Sequence, residues 1–98
     1  MIHSRRKDGR EILNFCERYN QFENRKCLVA VPTNYPVLSE EDLAAAGINL
    51  VIYANQLLRA SYTAMQKAAL SILEHGRALE ADREYISALE LISLIDGN

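Results

Sequence analysis

Apolar runs of strand length alternate along this chain with stretches whose apolar residues recur at helical spacing. The clearest case is Ile48–Ser61, INLVIYANQLLRAS: an apolar run, Ile48–Tyr53, turns at Ala54-Asn55 into a long helical pattern. A buried strand that feeds a helix is half of a βαβ unit. Upstream, Cys27–Val31 is a second continuous apolar run, of the kind that forms a parallel strand covered on both faces. Pro32 stops it, because proline cannot donate to the ladder. Met1 and Ile2, followed by His3 and Ser4, fit the C-terminal tip of a further strand.

The helical stretches carry their own boundary signals. Ile12, Leu13, Phe15, Cys16 and Tyr19 recur at helical spacing, with Asp8 as the expected N-cap and Glu11 in capping-box position. That helix should reach about Asn20. Ser39 caps the next one, with Asp42 three residues on, Leu38 and Leu43 as a hydrophobic staple, and acidic residues at the positive end of the helix dipole. Gly47 supplies its left-handed stop. From Asn55 the apolar-to-small stripe Leu58, Ser61, Tyr62, Met65, Ala68, Ala69, Ile72 and Leu73 predicts a long helix that ends at Gly76. Arg77–Ala81 reads as a connector. Asp82 should cap a last helix, apolar around so much of its circumference that it must be buried against something.

The order is strand, helix, strand, helix, strand, helix, helix. Right-handed crossovers place three parallel strands side by side. Residues 1–76 form the repeating βα part and residues 77–98 a C-terminal helical extension. A complete parallel barrel needs about 200 residues or more, so 98 residues cannot close one. Open sheet edges and the apolar last helix favour association with other copies or with missing elements, and Asp82–Ile95 is expected to pack on another chain.

Charge narrows the partners. A net charge of −2 and a pI near 5.6 give no overall drive toward nucleic acid or an anionic membrane. No run approaches the roughly 18 apolar residues that span a bilayer. No apolar segment follows the basic start, so no signal peptide is expected. The two cysteines, Cys16 and Cys27, fit no zinc spacing; they read as small buried hydrophobes in a reducing, cytoplasmic setting.

Chemistry-bearing residues are few. His3 stands at a strand tip, where catalytic groups of a barrel sit, and its imidazole can donate to a phosphate oxygen. An idle loop histidine is the simpler alternative. Arg5, Arg6, Lys7 and Arg10 read as a solvated basic loop and first helical turn. His75 fits the negative end of a helix dipole. Glu74, Glu80, Asp82 and Glu84 lack a metal-loop pattern and read as surface charge. No nucleophile–His–acid set and no Gly-rich phosphate loop is present.

Three segments together carry a family resemblance. Met1-Ile2-His3-Ser4-Arg5-Arg6 resembles an MHSKK segment, Val29–Tyr35 a VVPTxY strand, and Val51–Ser61 a VIWANHNLRAS strand and helix start. These belong to the C-terminal third of phosphoenolpyruvate mutase, within the isocitrate lyase and phosphoenolpyruvate mutase superfamily. The resemblance covers essentially the whole chain. It implies an α/β fold: a partial (β/α)₈ barrel with its last three βα units plus a C-terminal helix swapped or packed between chains. It implies a Mg²⁺-dependent enzyme that interconverts phosphoenolpyruvate and phosphonopyruvate in phosphonate biosynthesis. It also implies that the metal-binding acids, gating loop and substrate-binding arginine lie on strands outside this sequence. The chain alone is then expected to be inactive and to bind no metal, with the missing barrel portion or another copy as its partner.

His3 is the one site residue the resemblance transfers, as a contact to the phosphoryl or phosphonyl group; no catalytic or metal-ligating residue is transferred. Tyr53 replaces the family's Trp, Gln56-Leu57 its His-Asn, and Pro36 a Tyr. These departures leave a phosphonopyruvate hydrolase, or another C–C or P–C lyase of the superfamily, as an alternative. A non-catalytic assembly module is a third reading.

Overall fold

The computed structural model describes residues 1–95. The chain separates into two compact units, Met1–Gln56 and a second from Leu57 onward.

The first unit is organised by parallel pairing. Strand β1 (Val29–Ala30) pairs in parallel with β2 (Leu50–Val51), with Val29 opposite Leu50 and Ala30 opposite Val51. Ile2 forms an isolated parallel bridge to Ala30 on the other side of β1. The three segments therefore lie side by side in one direction, as the alternating pattern predicts.

The ladders are shorter than the apolar runs. At the start, the Asn49 side chain replaces a backbone acceptor, taking the Leu28 N–H at 2.9 Å. At the end, Pro32 has no N–H to give. Leu50 and Ile52 send their N–H groups to Leu28 and Ala30 of the neighbouring segment. By strand alternation the Val51 N–H faces away, toward an edge of β2 with no further strand among the described residues. The run Ile48–Tyr53 is correspondingly not buried on both faces: Leu50, Ile52 and Tyr53 are exposed.

Helix α1 (Arg10–Tyr19) buries Ile12 and Cys16 against this sheet. Its start corrects the sequence expectation. The N-cap is Gly9 at φ 74°, with no side-chain cap. Asp8 instead accepts the Arg10 N–H at 3.1 Å, and Glu11 reaches the Ser4 hydroxyl. A Cβ placed on Gly9 would lie 2.6 Å from Leu38 Cδ1. Gly9→Ala thus meets both left-handed strain and a packed side chain. It should lower stability by about 1–3 kcal/mol, measurable as a shift in urea midpoint with unchanged slope.

Helix α2 (Glu40–Ala45) matches its sequence signals closely. Ser39 and Asp42 form a reciprocal capping box, with bonds of 3.0 Å in each direction. Gly47 takes φ 99° after the helix, and the Asn20 amide donates to the Ala46 carbonyl at 2.9 Å. The Ser39 backbone N–H and hydroxyl hold the Asp42 carboxyl below the usual carboxylate range. A lowered folded-state value means that the box stabilises above the unfolded carboxyl's titration and is lost as pH falls through the folded one. Acid titration of Asp42→Asn should accordingly show a shallower loss of stability below about pH 4 than the parent.

The core of this unit is Ile12, Cys16, Leu28, Ala30, Tyr35, Leu43 and Ile48, with Ile2, Tyr19, Leu38, Ala46 and Val51 packed against it. Cys16 is fully buried, which pushes its thiol up. Cys27 is exposed, contrary to the expectation of two buried thiols. It precedes the point at which the sheet takes over the chain.

Helix α3 (Gln56–His75) starts on the last residue of the first unit and otherwise belongs to the second. Twenty residues make a helix of roughly 30 Å. Short α4 (Leu79–Asp82) and α5 (Ala88–Ile95) follow. Asp82 closes α4 and does not cap the last helix. Ser87 does: its hydroxyl accepts the Glu90 N–H at 3.2 Å, and the Glu90 carboxylate accepts the Ser87 N–H at 3.0 Å. Tyr85 and Ile86 precede α5, and residues 96–98 of the expected extension lie outside the described residues. Leu58, Tyr62, Met65 and Leu73 on α3 and Leu89, Leu94 and Ile95 on α5 are largely exposed.

Candidate functional site

Parallel strands deliver their carboxyl ends to one edge, and in α/β folds that edge is where ligands bind. Here it receives His3 after the Ile2 bridge, Thr33 and Asn34 after β1, and Tyr53 and Asn55 after β2.

His3 is exposed and makes no side-chain hydrogen bond among the described residues. Its neighbour is the anchored residue. Ser4 is only 4% exposed and is the buried polar residue of the core region. Its hydroxyl donates to Glu11 Oε2 at 2.7 Å and accepts the Arg6 N–H at 3.1 Å. Its carbonyl accepts from Asn34 Nδ2 at 3.2 Å. Three elements thus meet on one small residue: the first strand end, the loop after β1 and helix α1.

On the far side, the Tyr53 hydroxyl donates to Glu40 Oε1 at 2.8 Å, tying the end of β2 to the first turn of α2. That bond to the carboxylate pushes the Tyr53 phenol up. Asn55 Oδ1 is buried and has no hydrogen-bond partner among the described residues; its N–H bonds to Gln56 Oε1 at 3.3 Å.

The remaining sequence candidates lie elsewhere. Arg5, Arg6, Lys7 and Arg10 are exposed, and Arg10 pairs loosely with Asp8 at 3.9 Å. In the second unit, Glu80 is taken by Arg77 at 2.9 Å, which lowers its carboxyl. His75 Nδ1 lies 2.8 Å from the Ser71 carbonyl in the last turn of α3. Among the described residues no three of His, Cys, Asp and Glu converge.

Sequence reasoning missed the Ser4–Glu11–Asn34 cluster. Glu11 was assignable to a cap that Gly9 supplies instead. The one available signal was a small polar residue directly beside the candidate histidine.

The fold class is therefore a parallel α/β assembly whose candidate site sits at the carboxyl edge of its strands. No protein-family model matches the chain. Curated relatives do. A phosphonopyruvate hydrolase from Variovorax sp. (strain Pal2) is 38% identical over 95 residues, covering 96% of this chain and 32% of the relative. Among solved structures, a phosphoenolpyruvate phosphomutase from Streptomyces platensis subsp. rosaceus superposes with a TM-score of 0.84 at 30% identity, over 98% of this chain and 32% of that one. A phosphonopyruvate hydrolase in complex with oxalate and Mg²⁺ superposes with a TM-score of 0.85 at 37% identity, over 98% of this chain and 33% of that one. The chain spans about a third of the length of the curated relatives it matches. It belongs to the phosphoenolpyruvate mutase superfamily and corresponds to the C-terminal portion of its members.

Proposed function

We propose that this chain supplies the last three βα units, residues 1–76, and the helical extension, residues 77–98, of a (β/α)₈-barrel enzyme acting on the P–C bond of phosphonopyruvate. The mutase reaction, isomerisation between phosphoenolpyruvate and phosphonopyruvate, is the primary assignment. The observation that carries the proposal is the match of essentially the whole chain to a third of two enzymes that share this substrate chemistry. His3, exposed on the strand edge, is the residue that contacts the phosphonyl group. Its ring N–H groups can donate to the anionic oxygens.

The chain does not turn over substrate alone on this reading, because the acids that hold Mg²⁺ in the complete enzyme lie on other strands. Mg²⁺ would supply charge stabilisation of the reacting oxygens when bound there. This chain's part is to present His3 and to complete the wall of the barrel. Hydrolysis is the second reading, supported by a match of essentially the whole chain to phosphonopyruvate hydrolases.

The experiment is ³¹P NMR of phosphonopyruvate with Mg²⁺, with this chain alone and after addition of the part of the Variovorax hydrolase that it does not match. Turnover on recombination only, to phosphoenolpyruvate or to orthophosphate, supports the proposal. Turnover by the chain alone, or none on recombination when the two parts associate, contradicts it.

The exposed apolar residues of α5 favour association. Leu89 and Ile95 are each about four-fifths exposed, more apolar surface than a solvated helix carries. Size-exclusion chromatography with light scattering at micromolar concentration should therefore report a dimer or larger species. A clean monomer would count against packing of the last helix on another chain.

A further inference from the structure

We propose that Asn34 and Glu11 are positioning residues for His3, acting through Ser4 to fix where the imidazole stands on the strand edge. The inference deepens the reading of His3 as a phosphonyl contact and rests on it.

The chain on both sides of His3 is pinned. Before it, the Ile2 N–H donates to the Val29 carbonyl at 2.9 Å. After it, Ser4 is held through its carbonyl by Asn34 at 3.2 Å and through its hydroxyl by Glu11 at 2.7 Å. A residue between two fixed neighbours keeps only side-chain freedom, so the direction in which His3 leaves the backbone is set by the clamp.

The anchors are themselves stiff. Asn34 lies between Pro32 and Pro36, whose rings fix φ. Glu11 sits in the first turn of α1, whose Ile12 and Cys16 are core residues. Packing alone does not call for this arrangement. A buried hydroxyl must be bonded to avoid a desolvation penalty, and alanine at position 4 would carry no such requirement. What the polar set adds is direction. Productive contact with a transferring phosphonyl group depends on placement to a fraction of an ångström.

Amide exchange by NMR on the full 98-residue chain tests the clamp. The Arg6 N–H, bonded to Ser4 Oγ at 3.1 Å, reports locally. The Ile52 N–H, bonded to the Ala30 carbonyl at 2.9 Å, reports on the sheet. In Asn34→Ala and Glu11→Ala, Arg6 should exchange roughly three- to tenfold faster, the yield of one ordinary hydrogen bond. The His3 backbone order parameter should fall and Ile52 should be unchanged. Glu11→Gln keeps an acceptor for the Ser4 hydroxyl and should restore the parent values.

Equal acceleration at Arg6 and Ile52 would make the residues merely structural and overturn the inference. So would an Arg6 rate that does not move. In the recombined enzyme, Asn34→Ala should lower kcat for phosphonopyruvate more than it raises KM, and Glu11→Gln should leave both near parent. If His3→Ala abolishes turnover while Arg6 exchange in Asn34→Ala is unchanged, the clamp is wrong and the contact reading survives. If the exchange results hold but His3→Ala leaves turnover intact, the clamp is real and the contact reading is wrong.

Discussion

Tyr35→Ala should remove about 3–5 kcal/mol of stability, most of what a small domain has. Tyr35 is the largest fully buried side chain of the first unit, in one core cluster with Ile12, Cys16, Ala30 and Leu43. Removing the ring opens a cavity at the centre of that cluster. Tyr35→Phe should behave oppositely. The hydroxyl is buried without a hydrogen-bond partner among the described residues, so its loss should change stability by less than about 1 kcal/mol, with stabilisation the favoured sign.

The same hydroxyl sets an alkaline limit. Burial pushes the Tyr35 phenol up, and the Cys16 thiol adds to it. A raised folded-state value means that the stabilisation is complete below the unfolded phenol's titration and is lost as pH rises through the folded one. Urea titrations above about pH 10 should show Tyr35→Phe losing less stability than the parent. Alanine and phenylalanine variants that fall equally would contradict the packing account.

The largest functional effect is expected at His3. In the recombined enzyme, His3→Ala should lower kcat/KM for phosphonopyruvate about 10²–10³-fold, the usual cost of one donor to a developing oxyanion. Stability should move by less than about 0.5 kcal/mol, because the side chain is exposed and bonded to nothing in the described residues. Kinetics within twofold of the parent would remove His3 from the site. A large fall in melting temperature would make it a structural residue.

How much of this the sequence discloses depends on range. Local chemistry is legible: Ser39, Asp42 and Gly47 bound α2 as their types require, and Asn55 and Gly76 bracket the long helix. The parallel order of the three strands follows from alternation and the handedness of crossovers. Competition between partners is not legible. Asp8 and Glu11 have cap spacing, but a left-handed Gly9 under Leu38 takes the cap and releases Glu11 to Ser4. Likewise Asp82 has the right residue type, yet Ser87 with Glu90 makes the stronger reciprocal box. The Ser4–Asn34 contact joins residues thirty positions apart, and no spacing rule points to it.

Leu50, Leu58 and Leu94 are exposed; under the proposed function these surfaces would be covered in the assembled enzyme. The Val51 amide probes this directly. It faces the unpaired edge of β2 and should exchange as freely as a solvated amide in this chain alone. When the remaining barrel portion is added, a neighbouring strand should slow it at least a hundredfold, in parallel with the appearance of turnover. Slow exchange of Val51 in the isolated chain, or turnover on recombination with Val51 still fast, would contradict the claim that the strands here are the last of a closed ring.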